Sequence, residues 1–351
     1  MVICTNNNHV RGGINVGSKK KVLSLLLTCL MIFGVAKVPV FAATTYYYVS
    51  TSGSDSNDGT TRNTAFATLT KALSKANAGT TIFLLNGTHK YSSTFKLTKN
   101  GTASEPIKIL NYSGHAPIID FSSQPYADSS RGFQISGNYW ILAGLTIKGA
   151  GDNGIHISGN YNRVQDCFVT ECGDTGVQLS NGASYNTINR VTSTYNYDSK
   201  TNGENADGFA AKLSIGPGNV FTECIALHNS DDGFDLYDAK NPVKLYNCEA
   251  SYNGKGNGNG QGFKVGGNYT ADNHYLEGCI AIGNKSRGYD QNNNTGYITL
   301  INCIGKNNGV NFYFPKAPAS GQHYFKGCTS TSGKSKDKIV GAQVVSCSFN
   351  Q

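Results

Sequence analysis

A strand-like segment recurs along this chain, and its spacing constrains the fold more than any other feature. Segments ending at Leu145, Cys167, Val191, Cys224, Cys248, Cys279, Cys303 and Cys328 align with one another at intervals of 22, 24, 33, 24, 31, 24 and 25 residues. A period in the low twenties with occasional insertions is the mark of stacked coils. The repeated segments are short, rich in β-branched residues and bounded by Gly and Asn, so each coil is built of strands. An all-β parallel β-helix follows. The 42 glycines, against 8 prolines and 2 methionines in 351 residues, fit a periodic β-protein with many tight turns better than a helical bundle. Ahead of the repeats, Phe66–Ala76 has helical periodicity, with Phe66, Leu69, Ala72 and Leu73 on one side. A short helix there would cover the open end of the first coil.

Further columns run in step with the first. Five residues after Cys167, Val191, Cys224, Cys248, Cys279 and Cys303 stand Cys172, Asn196, Asn229, Asn253, Asn284 and Asn308. Asparagine tolerates a left-handed turn, and its amide both donates and accepts. One asparagine per coil therefore reads as a hydrogen-bonded ladder. Six cysteines share the last position of the repeated segment, Cys167, Cys224, Cys248, Cys279, Cys303 and Cys328. Side chains pointing in parallel fit disulfide geometry poorly, so these six read as buried free thiols. Cys172 and Cys347 lie outside that row. A last column follows the turn as Gly then a bulky residue, in Gly154-Ile155, Gly176-Val177, Gly208-Phe209, Gly233-Phe234, Gly262-Phe263 and Gly288-Tyr289. The bulky residue points inward, so its successor points outward. The outward column is His156, Gln178, Ala210, Asp235, Lys264 and Asp290, and the residues before each Gly are Asn153, Thr175, Asp207, Asp232, Gln261 and Arg287.

Residues 1–43 read as an export leader. Lys19, Lys20 and Lys21 precede an apolar stretch from Val22 to Ala36, and Val40-Phe41-Ala42-Ala43 supplies small residues at a cleavage site. The stretch is shorter than the roughly 20 apolar residues of a spanning helix. The leader holds 5 of the 30 basic residues and none of the 22 acids, so the net charge of +8 falls to +3 for residues 44–351. The basicity belongs mostly to the leader and gives no reason to infer nucleic-acid binding.

Asp207, Asp231, Asp232 and Asp235 fall on adjacent coils with Lys264, and bare carboxylates so close would repel one another. Calcium takes 6–8 oxygen ligands, several of them carboxylates. No His or Cys cluster here suggests zinc. Lys264 is either a counter-charge for Asp235 one coil away or a general base, and a base with its usual pKa near 10.4 would work at alkaline pH. Lys212, Lys255, Lys285 and Arg287 are candidates to hold carboxylates of an acidic polymer; Arg287 can grip one with two parallel bonds. Tyr237 and Tyr289 are the aromatic candidates for packing on sugar rings. The segment Gly254–Gly260 reads as a flexible loop flanking a groove, because it joins no strand to a helix as a nucleotide-binding loop would.

With these residues in view, the chain resembles the pectate lyases of polysaccharide lyase family 9. The resemblance rests on Asn205-Ala206-Asp207-Gly208-Phe209, on Ser230-Asp231-Asp232-Gly233-Phe234-Asp235 and on Gly262-Phe263-Lys264. The opening Tyr47-Tyr48-Val49-Ser50-Thr51-Ser52-Gly53-Ser54-Asp55 and the asparagine column are similar as well. It implies a single-stranded right-handed parallel β-helix of about ten coils over residues 44–351, with a short N-terminal capping helix. It also implies calcium at Asp207, Asp231, Asp232 and Asp235, with Lys264 as the base of a β-elimination on polygalacturonate. The enzyme would be secreted and monomeric. Its partner would be the acidic polysaccharide of the plant cell wall, with no nucleic acid and no membrane once the leader is removed. A lyase for another uronate polymer such as rhamnogalacturonan, a hydrolase using Asp231 and Asp232, and a non-enzymatic wall-binding β-helix remain the alternatives.

Overall fold

The computed structural model describes residues 44–351. The leader assigned to residues 1–43 lies outside the described residues. Among the described residues no helix is long and apolar enough to cross a membrane.

Each coil passes through three parallel sheets in turn. The first sheet has 12 strands, from Thr45–Val49 to Ala342–Val345; the second has 10, from Thr88–Lys90 to Thr329–Thr331; the third has 10, from Phe95–Leu97 to Lys338–Ile339. Every strand pairs in parallel with its equivalent one coil on, so the repeat in the sequence becomes a column in space. Thus Phe209 pairs with Phe234, Phe234 with Phe263 and Phe263 with Tyr289.

The bend from the first sheet to the second is sharp. It uses left-handed residues at Asp166, Arg190, Glu223, Asn247 and Asn302, with φ of 49–52°, and glycine at Gly144, Gly278 and Gly327. The cysteine column follows directly, and Cys167, Cys224, Cys248, Cys279, Cys303 and Cys328 are all buried free thiols. Cys172 is also buried and free, in the asparagine column, where its backbone N–H donates to Asn196 Oδ1 (3.1 Å). Cys347 is free and half-buried at the last coil, its Sγ 3.3 Å from the Cys328 nitrogen.

The asparagine ladder is continuous. Nδ2 of Asn196, Asn229, Asn253 and Asn284 donates to Oδ1 of the asparagine one coil on, at 2.8, 3.1, 3.0 and 2.9 Å. Each receiving Oδ1 also takes the preceding asparagine's backbone N–H. Asn311 ends the column by accepting from Asn308 Nδ2 (2.9 Å). A second column, not anticipated from the sequence, precedes the first-sheet strands: Asn186 Nδ2 donates to Asn219 Oδ1 (3.1 Å), and Asn162 N–H to Asn186 Oδ1 (2.9 Å). Later coils replace asparagine with histidine, whose Nδ1 accepts a backbone N–H, Val243 to His274 at 3.1 Å and Ile298 to His323 at 3.0 Å.

Inside, Phe209, Phe234, Phe263, Tyr289 and Phe312 stack with centroids 4.7–5.1 Å apart. Tyr289 is fully buried and its hydroxyl donates to the Cys279 carbonyl (2.6 Å), so it cannot pack on a sugar. The capping helix is shorter than its periodicity suggests, Leu69–Lys75. Phe66 belongs to the first coil instead, because its N–H and C=O bond to Tyr48 and Ser50. Thr68 caps the helix by accepting the Lys71 N–H (3.1 Å), and Leu69 and Ala72 are buried.

Candidate active site

The third sheet carries the chemistry on its outer face. Its outward column runs Gln134, His156, Gln178, Ala210, Asp235, Lys264, Asp290 and Tyr313. The glycine before each of Phe209, Phe234, Phe263 and Tyr289 has no room for a side chain. A Cβ on Gly233 would lie 2.6 Å from both the Gly262 carbonyl oxygen and Ala250 Cβ. That close approach lets the Gly208 N–H bond to the Asp232 carbonyl, and the Gly233 N–H to the Gln261 carbonyl (2.9 and 2.8 Å). The residues before the glycines are thereby stacked coil on coil.

Backbone amides aim the acids. Asp207 Oδ1 accepts the Asp232 N–H (3.1 Å), Asp231 Oδ2 the Asn205 N–H (2.9 Å), Asp232 Oδ1 the Gln261 N–H (2.7 Å) and Asp235 Oδ1 the Tyr237 N–H (3.0 Å). Asp231 Oδ1 accepts a further N–H from Asn259. The glycine-rich segment is therefore part of the site, and it is tied down by Lys285, whose Nζ donates to the Gly256 and Gly258 carbonyls (2.9 and 2.8 Å). All four acids are buried, Asp207 and Asp232 completely. Carboxylate oxygens of Asp207, Asp231 and Asp232 lie within 4.8 Å of one another.

Asp235 stands apart from that trio, between two lysines. Lys264 Nζ is 3.2 Å from Asp232 Oδ2 and 3.5 Å from Asp235 Oδ1; Lys212 Nζ is 2.8 Å from Asp207 Oδ2 and 3.2 Å from Asp235 Oδ2. Burial disfavours charge on Asp207, Asp232, Asp235 and both lysines. Burial pushes Asp207 up to about 7 against the pull of Lys212, and it raises Asp232 well above the usual carboxylate range. For Asp235 the burial penalty is overcome by Lys264 and Lys212, which hold it below the ordinary value. Both lysines are raised: burial opposes their charge, but Asp207 and Asp235 outweigh it at Lys212, and Asp235 and Asp232 at Lys264.

With all four acids ionised, the carboxylates and two ammonium groups would leave the cluster two charges short of neutrality, and the raised Asp207 and Asp232 reflect that crowding together with burial. Asp232 Oδ2 is buried with no hydrogen bond of its own. An oxygen-only donor set with that charge deficit fits a hard divalent cation.

The cluster lies in a cleft of about 850 Å³ lined by Lys212, Asp231, Asp235, Tyr237 and Lys264. Tyr237 is 37% exposed, with Lys264 Nζ 5.6 Å from its ring centroid. Lys255 and Arg287 lie outside this cleft. Lys255 is exposed, with Nζ over the Tyr197 ring (5.1 Å). Arg287 bonds to Asp290 Oδ2 (2.8 Å) and stacks on Tyr313 (3.9 Å), one coil beyond Lys264. The cleft's far wall was missed from the sequence: Tyr126, Arg131, Asp152, Asp174, Asp198 and Lys200. Asp152 and Asp174 hold the same place in their turns as Asp231 does, two residues before the glycine, and that register could have found them. Burial, then the Asp174 charge, pushes Asp152 up to about 7, with Arg131 3.2 Å away opposing.

The family model of the Pel9A-like right-handed β-helix region matches residues 47–328. The chain belongs to this family. The family enzymes are polysaccharide lyases, and so is this protein. It is 38% identical over 303 residues to pectate lyase L of Dickeya chrysanthemi, covering 82% of this chain and 71% of that one. The structure of pectate lyase Pel9A superposes with a TM-score of 0.79 at 34% identity, over 86% of this chain and 79% of that one. A rhamnogalacturonan lyase superposes with a TM-score of 0.71 at 25% identity, over 88% of each chain.

Proposed function

We propose that this protein is a secreted, calcium-dependent pectate lyase that cleaves polygalacturonate by β-elimination. The observation that carries the reading is Lys264, held in the cleft by Asp232 and Asp235 beside a cluster of four buried carboxylates. Relatives sharing more than a third of the sequence are named pectate lyases.

Lys264 in its neutral form takes the C5 proton of a galacturonate unit. The released electron pair forms the C4–C5 double bond, the C4–oxygen bond breaks, and the glycosidic oxygen leaves with a proton from solvent. The products are a new non-reducing end that is an unsaturated uronide and a shortened chain. Calcium held by Asp207, Asp231, Asp232 and Asp235 would bind the uronate carboxylate and favour the negative charge that builds on it as the proton leaves. Lys212 and Tyr237 face the same cleft and meet substrate there, the first as a charge and the second as a ring face. Arg287, one coil beyond Lys264, and Lys255, on the side of the earlier coils over Tyr197, take further carboxylates of the polymer. Because the surrounding acids favour the charged form of Lys264, turnover rises with pH into the alkaline range. The leader of residues 1–43 exports the chain, which acts as a monomer on cell-wall polysaccharide, with no nucleic-acid or membrane partner.

The likeness to a rhamnogalacturonan lyase over 88% of both chains supports a second reading, in which the same elimination acts on rhamnogalacturonan. Ultraviolet absorbance of the unsaturated product separates the readings. Growth on polygalacturonate with calcium, and none with a chelator, is the expected result. Growth on rhamnogalacturonan alone would move the substrate assignment. Cleavage without the absorbing product would overturn elimination.

A further inference from the structure

Lys212 is the second lysine of the site, and its place there has a consequence beyond contact with substrate. It follows the strand Phe209–Ala211 and is five residues from Asp207, so it rises from the same coil as that acid. Its side chain is 12% exposed, and its ammonium donates to Asp207 Oδ2 (2.8 Å) and Asp235 Oδ2 (3.2 Å). Asp207 has little else to offer a ligand. Its Oδ1 is engaged by the Asp232 N–H (3.1 Å), and its Oδ2 also accepts from Thr175 Oγ1 (3.1 Å). Lys264 cannot substitute, because its partners are Asp232 and Asp235. A divalent cation that uses Asp207 must therefore contend with the Lys212 ammonium for the same oxygen, and like charges so close repel strongly in a buried site.

We propose that Lys212 is a displaceable counter-ion that couples cation binding to polyuronate binding. This rests on the calcium reading above. The cation takes Asp207 and pushes the Lys212 ammonium off it. The ammonium then swings into the cleft that its side chain already lines and meets a carboxylate of the substrate. Each ligand thereby favours the other: the cation frees a lysine for the polymer, and the polymer gives the lysine a new partner. By linkage the effect is reciprocal. Lys264, paired with Asp232 and Asp235, has a different duty, to take the C5 proton.

The test is calorimetric titration of calcium chloride into protein, with and without trigalacturonate, in a Lys264→Ala background that prevents turnover. In that background trigalacturonate is expected to tighten calcium binding. Lys212→Met removes the competing charge, so calcium alone binds about tenfold tighter, a difference of about 1.4 kcal/mol. Trigalacturonate then no longer tightens it further. Lys212→Arg keeps the charge and restores the parent pattern. Melting curves confirm that each variant is folded. Calcium affinity in folded Lys212→Met that is unchanged or weaker, or tightening by trigalacturonate that survives the substitution, overturns the coupling and leaves the calcium site standing. No calcium binding by the parent protein overturns the calcium reading itself, and the coupling with it.

Discussion

Two columns run side by side along this solenoid, built by the same repeat and serving opposite ends. The asparagine column places one amide per coil, and each is completed by its neighbours above and below. Further along the same turns, Asp231 and Asp232 just after Asn229, and Asp207 after an insertion that follows Asn196, stand where the neighbours are like charges. Repetition satisfies an amide, which donates and accepts, but it frustrates a carboxylate, which only accepts. The acids are met by backbone N–H groups, Lys212 and Lys264, and would still carry a net deficit of charge with all four ionised. A stacked fold thus separates structure from chemistry: residues that repeat hold the coils together, and a column that stops repeating marks the site.

Four substitutions sharpen the contrast. Lys264→Ala lowers turnover on the order of a thousandfold, as expected for loss of a general base, with melting temperature near the parent value and calcium still bound. Residual activity within tenfold of the parent would assign the base elsewhere. Asn284→Ala does the reverse. It strands the Asn253 N–H and Nδ2 and the Ala250 carbonyl, all buried, and costs about 3 kcal/mol in urea unfolding. The folded fraction still eliminates at close to the parent rate. Asp232→Asn keeps the hydrogen bond from Gln261 but loses the charge, so calcium affinity falls on the order of a hundredfold by calorimetry while unfolding is little changed. An unaltered titration would remove Asp232 from the cation site.

The smallest effect concerns a structural column in which the repeat is broken. His274 takes the place of an amide and must be neutral for Nδ1 to accept the Val243 N–H. Burial pushes it down to about 4. Its folded-state pKa is below the unfolded value near 6.5, so its contribution is full above that pH and is lost as pH falls toward 4. Unfolding free energy should drop on the order of 2 kcal/mol across that window, and His274→Asn should flatten the fall. An equal acid loss in both proteins would place the sensitivity elsewhere, with His156, pushed down to about 4 by burial and then Arg131, the next group to test.

The period, the inward row of cysteines and aromatics, the asparagine ladder and the sharing of one face by Asp207, Asp232, Asp235 and Lys264 were all legible in the sequence. Each follows from register alone. In parallel stacked coils with strict alternation, equal place in the repeat means adjacent place in space. Register also carried two signals that went unread, the second ladder of Asn162, Asn186 and Asn219 and the alignment of Asp152 and Asp174 with Asp231.

Tertiary structure alone decided what the side chains and loops do once they are adjacent. It drew Asp235 toward Lys212 and Lys264 rather than into the carboxylate trio. It committed Arg287 to Asp290 and Tyr313, and it folded the Gly254–Gly260 segment back so that Asn259 meets Asp231. It also ended the capping helix early, because the Phe66 backbone pairs with the first strand. The physical reason is that a repeat specifies the position of Cα atoms, whereas torsions of long charged side chains, and the paths of insertions that lengthen some coils, are settled by burial and charge among neighbours. The sequence by itself determined which residues share a face of this protein; the folded molecule determined which of them touch.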